Sequence, residues 1–380
     1  MKQVYFDHAA TTYMYDEVVD VMMDAMKENY GNPSSIHQFG RKAKVSVEKA
    51  RKNIATLLGV SSNEIVFTSS GTEGNNLILN NAVHNLGVKR IITSKIEHHA
   101  VLNVVEKLSA ENEVAVNYVA LDESGMIDLK DLERLLSVND EVTLVSLMMV
   151  NNEIGNILPY ARVAGLCENH NALFHTDAVQ AIGQYSIDLK NSSIDFLVAS
   201  AHKFHGPKGV GFVYLKKNQI VKPMILGGGQ ERGVRSSTEN VSGILGMEKA
   251  LTLSLGKIEG RTNHIIEVKK YFYEKLSSLS SKIKINGDAP DSEFSIPKIL
   301  NVRFPLQDKM LLFNLDLRGV AVSSGSACQS GGSKVSHVLK EILPEEELNK
   351  TSIRFSFSER SSKAEVDYVI SVIYSLINKD

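Results

Sequence analysis

Short runs of apolar, often β-branched residues alternate along most of the chain with segments whose apolar residues recur at helical spacing. The runs that predict strands are 64–68, 90–93, 114–119, 142–146, 173–176, 196–199 and 211–215. Helical patterns lie between them, for example at 101–108, 129–136 and 160–169. This alternation favours an α/β fold built on a mainly parallel, seven-stranded sheet.

The alternation of strand and helix patterns ends near residues 255–263. Beyond this point the chain predicts a long amphipathic helix at 265–279, strands at 283–285 and 299–303, and a last helix at 364–377. We therefore expect a large domain over 15–255 and a smaller α+β domain made of 1–14 and 256–380.

Composition narrows the functional classes. The 380 residues are 43% hydrophobic and 23% charged, which is ordinary for a soluble protein, and the net charge of -2 gives no reason to expect nucleic acid or a membrane surface as partner. No apolar run is long enough to span a bilayer, and the N-terminus lacks the apolar run of a signal peptide. With only Cys167 and Cys328, we expect no disulfide framework and a cytoplasmic location.

Polar motifs follow several predicted strands, where open α/β sheets bind their ligands. The segment TSSGTEG (68–74) follows the first strand and opens a helix. Free backbone N–H groups at such a helix start favour a phosphate, which Gly71 lets approach and the Ser70 and Thr72 hydroxyls can bind. A plain helix cap is the alternative interpretation.

Two further motifs fit an aromatic cofactor. His98, in EHHA after the strand at 90–93, could cover a ring and act as an acid or base, or be a solvated loop histidine. Asp177, followed by Gln180, ends the run LFHT; a buried carboxylate needs a partner, and a protonated pyridine nitrogen would be one. A helix cap is again the alternative for Asp177.

Lys203 lies in SAHKFHGPKG (200–209), just after the strand at 196–199. A lysine that ends a buried strand is placed to form a Schiff base, although a lone lysine is more often exposed and Lys208 competes for the role. His202 and His205 could suggest a metal, but no metalloprotease or cysteine-rich motif accompanies them, so we predict no metal site.

Two candidates lie in the C-terminal part. Cys328 is set in the small-residue loop SSGSACQSGGS (323–333) and is predicted to be a reactive thiol, unlike Cys167 among apolar neighbours; an incidental thiol in a linker is the alternative. Arg354, in the alternating strand TSIRFSFS, could clamp a substrate carboxylate or form a surface ion pair.

Taken together, these segments resemble the cysteine desulfurases, pyridoxal-phosphate enzymes of fold type I related to class V aminotransferases. The motifs that carry the resemblance are DHAATT (7–12), GNPSS (31–35), EIVFTSSGTEGNN (64–76), EHHA (97–100), VNNEIG (150–155), HTDAVQ (175–180), AHKFHGPKG (201–209), GGGQERGVRSST (227–238), SSGSAC (323–328) and SIRFS (352–356). The SSGSAC form resembles the subgroup with a long cysteine loop, typified by the iron–sulfur cluster and nitrogen-fixation enzymes.

The resemblance implies a role for each matching residue. Lys203 would hold pyridoxal 5'-phosphate as a Schiff base, Asp177 would pair with its ring nitrogen, Gln180 would bind its ring hydroxyl and His98 would stack on the ring and move protons. The phosphate would be bound by Gly71, Thr72, Ser200 and His202, with Thr238 reaching the phosphate of a neighbouring subunit in a homodimer. Asn152, beside the cofactor, and Arg354 would hold the substrate carboxylate, with Asn32 nearby.

The implied activity converts L-cysteine into L-alanine and transfers the sulfur to Cys328 as a persulfide. A sulfur-acceptor protein, such as an iron–sulfur scaffold, would then receive it; cluster assembly, tRNA thiolation and other pathways stay open. The alternatives are a transaminase of the same fold, which would not need Cys328, a selenocysteine lyase, a cofactor-free sulfur-relay protein and, more distantly, a metal hydrolase.

Overall fold

The computed structural model describes residues 2–111, 113–138, 141–217, 219–308, 310–325 and 335–377. The strands in these ranges are β1 (Val4–Tyr5), β2 (Ile65–Thr68), β3 (Arg90–Thr93), β4 (Ala115–Tyr118), β5 (Thr143–Ser146), β6 (Leu173–Asp177), β7 (Phe196–Ser200), β8 (Gly211–Leu215), β9 (Lys284–Asn286), β10 (Ile299–Arg303), β11 (Val320–Ala321) and β12 (Ser352–Ser356). The α-helices are α1 (Asp16–Glu28), α2 (Gln38–Leu57), α3 (Gly71–His84), α4 (His99–Ala110), α5 (Leu129–Leu136), α6 (Tyr160–Asn169), α7 (Val241–Gly256), α8 (Ile258–Leu279), α9 (Leu311–Leu317), α10 (His337–Ile342), α11 (Glu345–Leu348) and α12 (Lys363–Ile377).

The larger sheet has the strand order β2-β8-β7-β6-β5-β3-β4 in the described residues. Strands β3 to β7 pair in parallel, whereas β8 runs antiparallel to both β7 and β2. Every residue of β2, β3, β5, β7 and β8 is buried, as expected for strands covered by helices on both faces. The predicted α/β fold with a mainly parallel seven-stranded sheet is confirmed.

A second core lies around a three-stranded antiparallel sheet of order β12-β10-β9. The N-terminal strand β1 pairs in parallel with β11, and Phe6 packs edge-on against Phe272 and Phe357 in this core. Helix α8 begins at Ile258, seven residues before the predicted start, and follows α7 after the single residue Lys257. The division into 15–255 on one side and 1–14 with 256–380 on the other stays a prediction.

Strand order explains why the polar motifs meet. Asp177 is the last residue of β6 and Ser200 the last of β7, and these two strands are paired neighbours. Helix α3 begins at Gly71 and α4 is capped by His98, each shortly after a strand of the same sheet. The carboxyl ends of the parallel strands therefore bring these side chains to one edge. No helix in the described ranges is long and apolar enough to cross a bilayer.

A buried ion pair fixes the segment 227–238 against the edge of this sheet. The guanidinium of Arg51 donates two hydrogen bonds to the carboxylate of Glu231, at 2.7 and 2.8 Å, and the backbone N–H of Phe67 in β2 donates a third at 2.8 Å. Both charged side chains are buried. The pairing compensates the desolvation of each charge and also holds Glu231 at a positive φ of 47°.

We expect Glu231→Ala to lower the free energy of unfolding by about 3–5 kcal/mol, because the buried Arg51 would lose its buried anionic partner and keep only the half-exposed Glu48. Urea unfolding followed by circular dichroism would measure the change.

Glu48 provides the matched control, since it pairs with the same Arg51 but its side chain is 51% exposed. Glu48→Ala should cost no more than about 1 kcal/mol. Equal losses in the two variants would contradict a dominant role for the buried pair.

Candidate active site

The polar ends of the strands line one cleft, whose empty space is about 780 Å³ when the open solvent at its mouth is included. The residues that sequence analysis singled out and that line it are Gly71, Thr72, His98, Asn152, Asp177, Gln180, Ser200, His202, Lys203 and Arg354. These residues come from six separate motifs of the chain, so the fold brings together what the sequence keeps far apart. Their individual roles stay predictions.

Lys203 lies on the wall of the cleft, in the short 3-10 turn that follows β7. Its Nζ donates to the backbone carbonyls of Ala9 and Ala10, at 2.6 and 2.7 Å. The same N-terminal segment is tied to this turn through Thr12, whose N–H and hydroxyl both donate to the carbonyl of His202 at 2.9 Å. The amine is thus held in one place by backbone acceptors on a strand-end turn.

Asp177 is a buried carboxylate that faces the cleft. One oxygen accepts a hydrogen bond from the Asn75 amide at 2.7 Å and the other accepts one from the backbone N–H of Val179 at 3.0 Å. No lysine or arginine in the described ranges forms a salt bridge with it. Burying a carboxylate is costly without a cationic partner, so the site fits a protonated ring nitrogen.

Two further cleft side chains have buried oxygens without donors among the described residues. Gln180 donates through Nε2 to the carbonyl of Ala9 at 2.8 Å, but its Oε1 has no partner. The Oδ1 atom of Asn75 is unpaired in the same way. Buried polar atoms are usually hydrogen-bonded, so these acceptors fit a bound molecule with polar substituents.

The start of α3, which lines the cleft, suits a phosphate. Gly71 and Thr72 open the 14-residue helix α3, whose N-cap is Ser70, and Ser200 and His202 line the cleft beside them. Unpaired N–H groups and the positive end of the helix dipole attract anions at such a position. The residues present therefore fit pyridoxal phosphate at both its ring and its phosphate.

His98 is positioned as the N-cap of α4. Its Nδ1 accepts a hydrogen bond from the backbone N–H of Ala100 at 3.0 Å, so the neutral ring carries its proton on Nε2. Burial lowers the pKa of His98, the charge of Asp177 opposes this, and the positive charge of Lys203 lowers the pKa further. A neutral imidazole that lines the cleft can accept or donate a proton near neutral pH.

His202 is also held neutral. Burial, reinforced by the charges of Lys203, Lys208 and Lys298, lowers its pKa to about 3. Its Nδ1 lies 3.2 Å from the hydroxyl of Thr11. A neutral imidazole can donate one N–H to an anion without adding charge to the cleft.

Arg354 is a buried guanidinium, only 1% exposed, on β12. Its Nη1 donates to the backbone carbonyl of Asn152 at 2.7 Å and its Nη2 to the carboxylate of Asp7 at 2.9 Å. The buried Nε has no partner among the described residues. An arginine fixed on two sides with a spare donor is ready to bind a carboxylate in the cleft.

Three predicted site residues lie elsewhere. Thr238 is exposed and does not line the cleft of its own chain, although the Arg235–Glu73 ion pair at 2.8 Å holds its segment against α3. Asn32 is exposed, and its Oδ1 accepts from the N–H of Ser34. Cys328 lies outside the described residues.

Sequence reasoning missed other residues of the site. Asp7 belongs to a quoted motif but has no predicted role, and Asn75, the fifth residue of α3, has none either. Lys298 was also missed: it is buried, its Nζ donates to the carbonyl of Lys203 at 3.3 Å, and burial, then the charge of Lys203, places its pKa well below the usual value. Burial likewise raises the pKa of Glu97 well above its usual value. The only sequence signal for Asp7 and Asn75 was their place in polar motifs.

No group of three or more His, Cys, Asp or Glu side chains in the described ranges is arranged to hold a metal ion.

Comparison with known proteins gives a consistent result. The sequence matches the model of the family described as Aminotransferase class-V over residues 4–369. It is 40% identical to "Cysteine desulfurase IscS" of Dictyoglomus turgidum, covering 100% of this chain and 95% of that protein. It is 39% identical to "Cysteine desulfurase IscS" of Clostridium botulinum, with the same coverage.

Solved structures agree in fold. A "NifS-like protein" superposes with a TM-score of 0.91 at 37% identity, covering 99% of each chain. A structure described as "SspA in complex with cysteine" superposes with a TM-score of 0.81 at 30% identity, covering 94% of this chain and 99% of that one.

The buried histidines predict how stability depends on pH. Burial lowers the pKa of His175 to about 3, and its ring contacts only the Ser146 hydroxyl at 2.8 Å among the described hydrogen bonds. In the unfolded chain the pKa of a histidine is about 6.5. At a pH between these two pKa values, His175 binds a proton in the unfolded chain but not in the folded protein. The contribution of His175 to the stability of the fold is therefore complete above pH ~6.5 and is progressively lost as the pH falls towards 3.

We therefore expect His175→Gln to flatten the dependence of the unfolding free energy on pH between ~6 and ~4, by up to about 1.4 kcal/mol per pH unit. Urea titrations of both proteins across this range would measure the two slopes. Parallel slopes, whatever the offset in stability, would contradict the neutral, buried state of His175.

Proposed function

The chain belongs to the class-V aminotransferase family, and we propose that it is a cysteine desulfurase that uses pyridoxal phosphate to convert L-cysteine into L-alanine. The released sulfur is carried as a persulfide on Cys328. The observation that carries the proposal is the joint placement of Lys203, Asp177 and Arg354 in one cleft. These residues supply an amine, a partner for a cationic ring nitrogen and a carboxylate clamp, and the relatives named above are cysteine desulfurases.

Pyridoxal phosphate, when bound, supplies a ring that accepts the electron pair left at the substrate α-carbon. Asp177 favours the protonated ring nitrogen, because its buried carboxylate has no other cationic partner among the described residues. Gln180 and Asn75 offer hydrogen bonds to the ring substituents, and the start of α3 with Ser200 and His202 binds the phosphate.

Arg354 orients the substrate. Its Nε can donate to the carboxylate of L-cysteine while the carbonyl of Asn152 and the carboxylate of Asp7 keep the guanidinium in place. The Nζ of Lys203 then takes the proton from the α-carbon, and the Nε2 of His98 is the second group in the cleft that can deliver or accept a proton.

The sulfur step uses the second nucleophile of the chain. The thiolate of Cys328 attacks the substrate sulfur: an S–S bond forms and the C–S bond breaks. The electron pair of the broken bond stays with the three-carbon fragment, which takes up protons and leaves as alanine. The sulfur is now oxidised to the persulfide level on Cys328 and the carbon fragment is reduced, so no external oxidant is needed. A thiol reductant or an acceptor protein removes the sulfur.

The acceptor and the compartment belong to the same proposal. A persulfide must be passed to another protein, and an iron–sulfur scaffold is the acceptor class that the family resemblance suggests. Because Cys328 must stay a free thiol between turnovers, we place the enzyme in the reducing cytoplasm.

We also propose a homodimer. Two segments expose large apolar side chains: Ile36, 89% exposed, lies near Tyr30 and Phe39 in the sequence, and Leu226, 84% exposed, follows Ile220. Thr238 is exposed outside its own cleft, which suits a contact with the phosphate in a second copy. Exposed apolar groups of this size favour an interface.

The desulfurase proposal predicts equal amounts of alanine and sulfide from L-cysteine and dithiothreitol. Cys328→Ala should lower both rates by at least about 10³-fold, because the nucleophile is lost. Amino-acid analysis and a colorimetric sulfide assay would measure the products.

Cys167→Ala is the control, since Cys167 is completely buried in α6 and burial raises the pKa of its thiol. This variant should keep its activity. An active Cys328→Ala protein would refute the persulfide step, and formation of a keto acid instead of alanine would favour a transaminase.

The dimer proposal predicts a mass near twice 41.8 kDa by light scattering. The double variant Ile36→Asp/Leu226→Asp should be a monomer with lower affinity for the cofactor, because the contact from Thr238 would be lost. Val138→Asp, which charges a residue 63% exposed on another segment, should remain dimeric. A monomeric wild type would contradict the proposal.

A further inference from the structure

Lys298 is a buried lysine to which the proposed reaction gives no role. Only 3% of it is exposed, and it lies just before β10 at the junction of two cores. Its neighbour Ile299 packs in the core of the larger sheet, whereas Leu300 packs in the second core. The backbone is fixed there, because the carbonyl of Lys298 accepts from the N–H of Phe357 at 2.8 Å. A lysine is rarely buried to this extent without a partner for its amine, so the identity of that partner indicates what the residue does.

The partner of this amine is the backbone of the cleft lysine. The Nζ of Lys298 donates to the carbonyl of Lys203 at 3.3 Å, and this is its one hydrogen-bond partner among the described residues. A second donor, Nε2 of Gln184, reaches the same carbonyl at 3.4 Å. The cost of burying the amine of Lys298 is therefore offset at the residue that carries the reactive amine of the cleft.

Lys298 makes this contact as a neutral group. Burial lowers its pKa well below the usual value. The charges that act on it come from Lys203, Arg261 and Arg354, which lower the pKa further, and from Glu359, which opposes them. An uncharged amine still donates its N–H groups. It can thus hold the carbonyl without adding another cation beside Lys203.

The turn that carries Lys203 needs contacts of this kind. It is a 3-10 turn of three residues, and so short a helix leaves its last carbonyls without helical partners. Two residues later, His205 has a φ of 67°, a conformation that residues other than glycine adopt only where the surroundings fix it. Thr12 fixes one part of this backbone, because its hydroxyl accepts from the N–H of His205 at 2.8 Å. Lys298 fixes another part, at the carbonyl of Lys203.

We propose that Lys298 is a positioning residue for the amine of Lys203: it holds the carbonyl of Lys203 and so ties the turn to the start of β10. This inference rests on the proposed function, in which Lys203 forms the Schiff base and takes the α-proton. A reacting group displaced by about 1 Å can slow a reaction by about 100-fold. Lys298 then contributes to the steps that use the amine of Lys203, and not to the binding of the substrate carboxylate by Arg354.

A purely structural role for Lys298 makes the opposite prediction. Burying an amine with one long hydrogen bond costs more free energy than burying an apolar chain of similar length. If Lys298 serves the reaction, Lys298→Met should be at least as stable as wild type and slower. If it serves only the fold, the variant should be less stable, and each folded molecule should react at the wild-type rate.

The experiment measures stability and the reactivity of Lys203 separately in full-length Lys298→Met. Urea unfolding after removal of the cofactor gives the stability, and the midpoint should not fall. Mixing the same protein with pyridoxal phosphate and following the absorbance of the Schiff base gives a rate constant. Unfolded molecules lower the amplitude of this reaction but not its rate constant. We expect the rate constant to fall about 10-fold with full amplitude.

Steady-state kinetics of the holoenzyme give a second measure. For alanine formation from L-cysteine, kcat should fall about 10-fold in Lys298→Met, because the amine that takes the proton is misplaced. KM should stay within about two-fold of wild type, because the carboxylate clamp at Arg354 is intact.

Lys269→Met is the matched control. Lys269 is also a buried lysine, 2% exposed, but its Nζ donates to the hydroxyl of Ser295 at 2.8 Å and to the carbonyl of Ile296 at 3.0 Å, and it does not line the cleft. This variant should lose stability and keep the wild-type rate constant for Schiff-base formation.

Three outcomes would overturn the inference: a Lys298→Met protein that is less stable or does not fold, one that reacts as fast as wild type, or equal slowing in Lys269→Met. Failure of the proposed function would look different. A wild type that forms the Schiff base but makes no alanine from L-cysteine would refute the desulfurase, while the comparison of Schiff-base rate constants would still decide the role of Lys298.

Discussion

The ion pair between Asp7 and Arg354 connects the parts of the molecule that build the cleft. The two residues are 347 positions apart, yet the guanidinium is buried against the carboxylate at 2.9 Å. Through it the N-terminal segment is held against β12, and the same segment then presents the carbonyls of Ala9 and Ala10 to Lys203. A buried arginine is tolerated only when it is paired. The position of the carbonyls that bind Lys203 therefore depends on the pairing of Asp7 with Arg354, which lies near the other end of the chain.

The cleft holds more positive than negative charge. Of the side chains that line it, Lys203 and Arg354 are cationic and Asp177 is anionic. The buried Lys298 donates to the carbonyl of Lys203, and its pKa is lowered well below its usual value by burial and by the charge of Lys203. The histidines nearby are kept neutral by burial, as His202 shows with a pKa of about 3. Such an arrangement favours molecules that bring negative charge, which phosphate and carboxylate groups both do.

Much of the fold could be predicted because its central strands are buried on both faces and therefore read as continuous apolar runs. Residues such as Asp177 and Lys203 stood out because they interrupt this pattern at a strand end. Lys298 could not be recognised, since a lysine before a strand is normally exposed and only the packing of two cores buries it. The pairing of Arg354 with Asp7 could not be predicted either, because no local sequence pattern links two residues that are so far apart in the chain. The early start of α8 at Ile258 was missed because its first turn is polar.

The proposed reaction has two different physical requirements. Proton removal at a substrate carbon needs groups held rigidly, and Lys203, Asp177 and His98 are placed at strand ends and helix caps, where neighbouring backbone fixes them. Sulfur transfer needs a thiol that can reach both the cleft and an acceptor, which a rigid element would prevent.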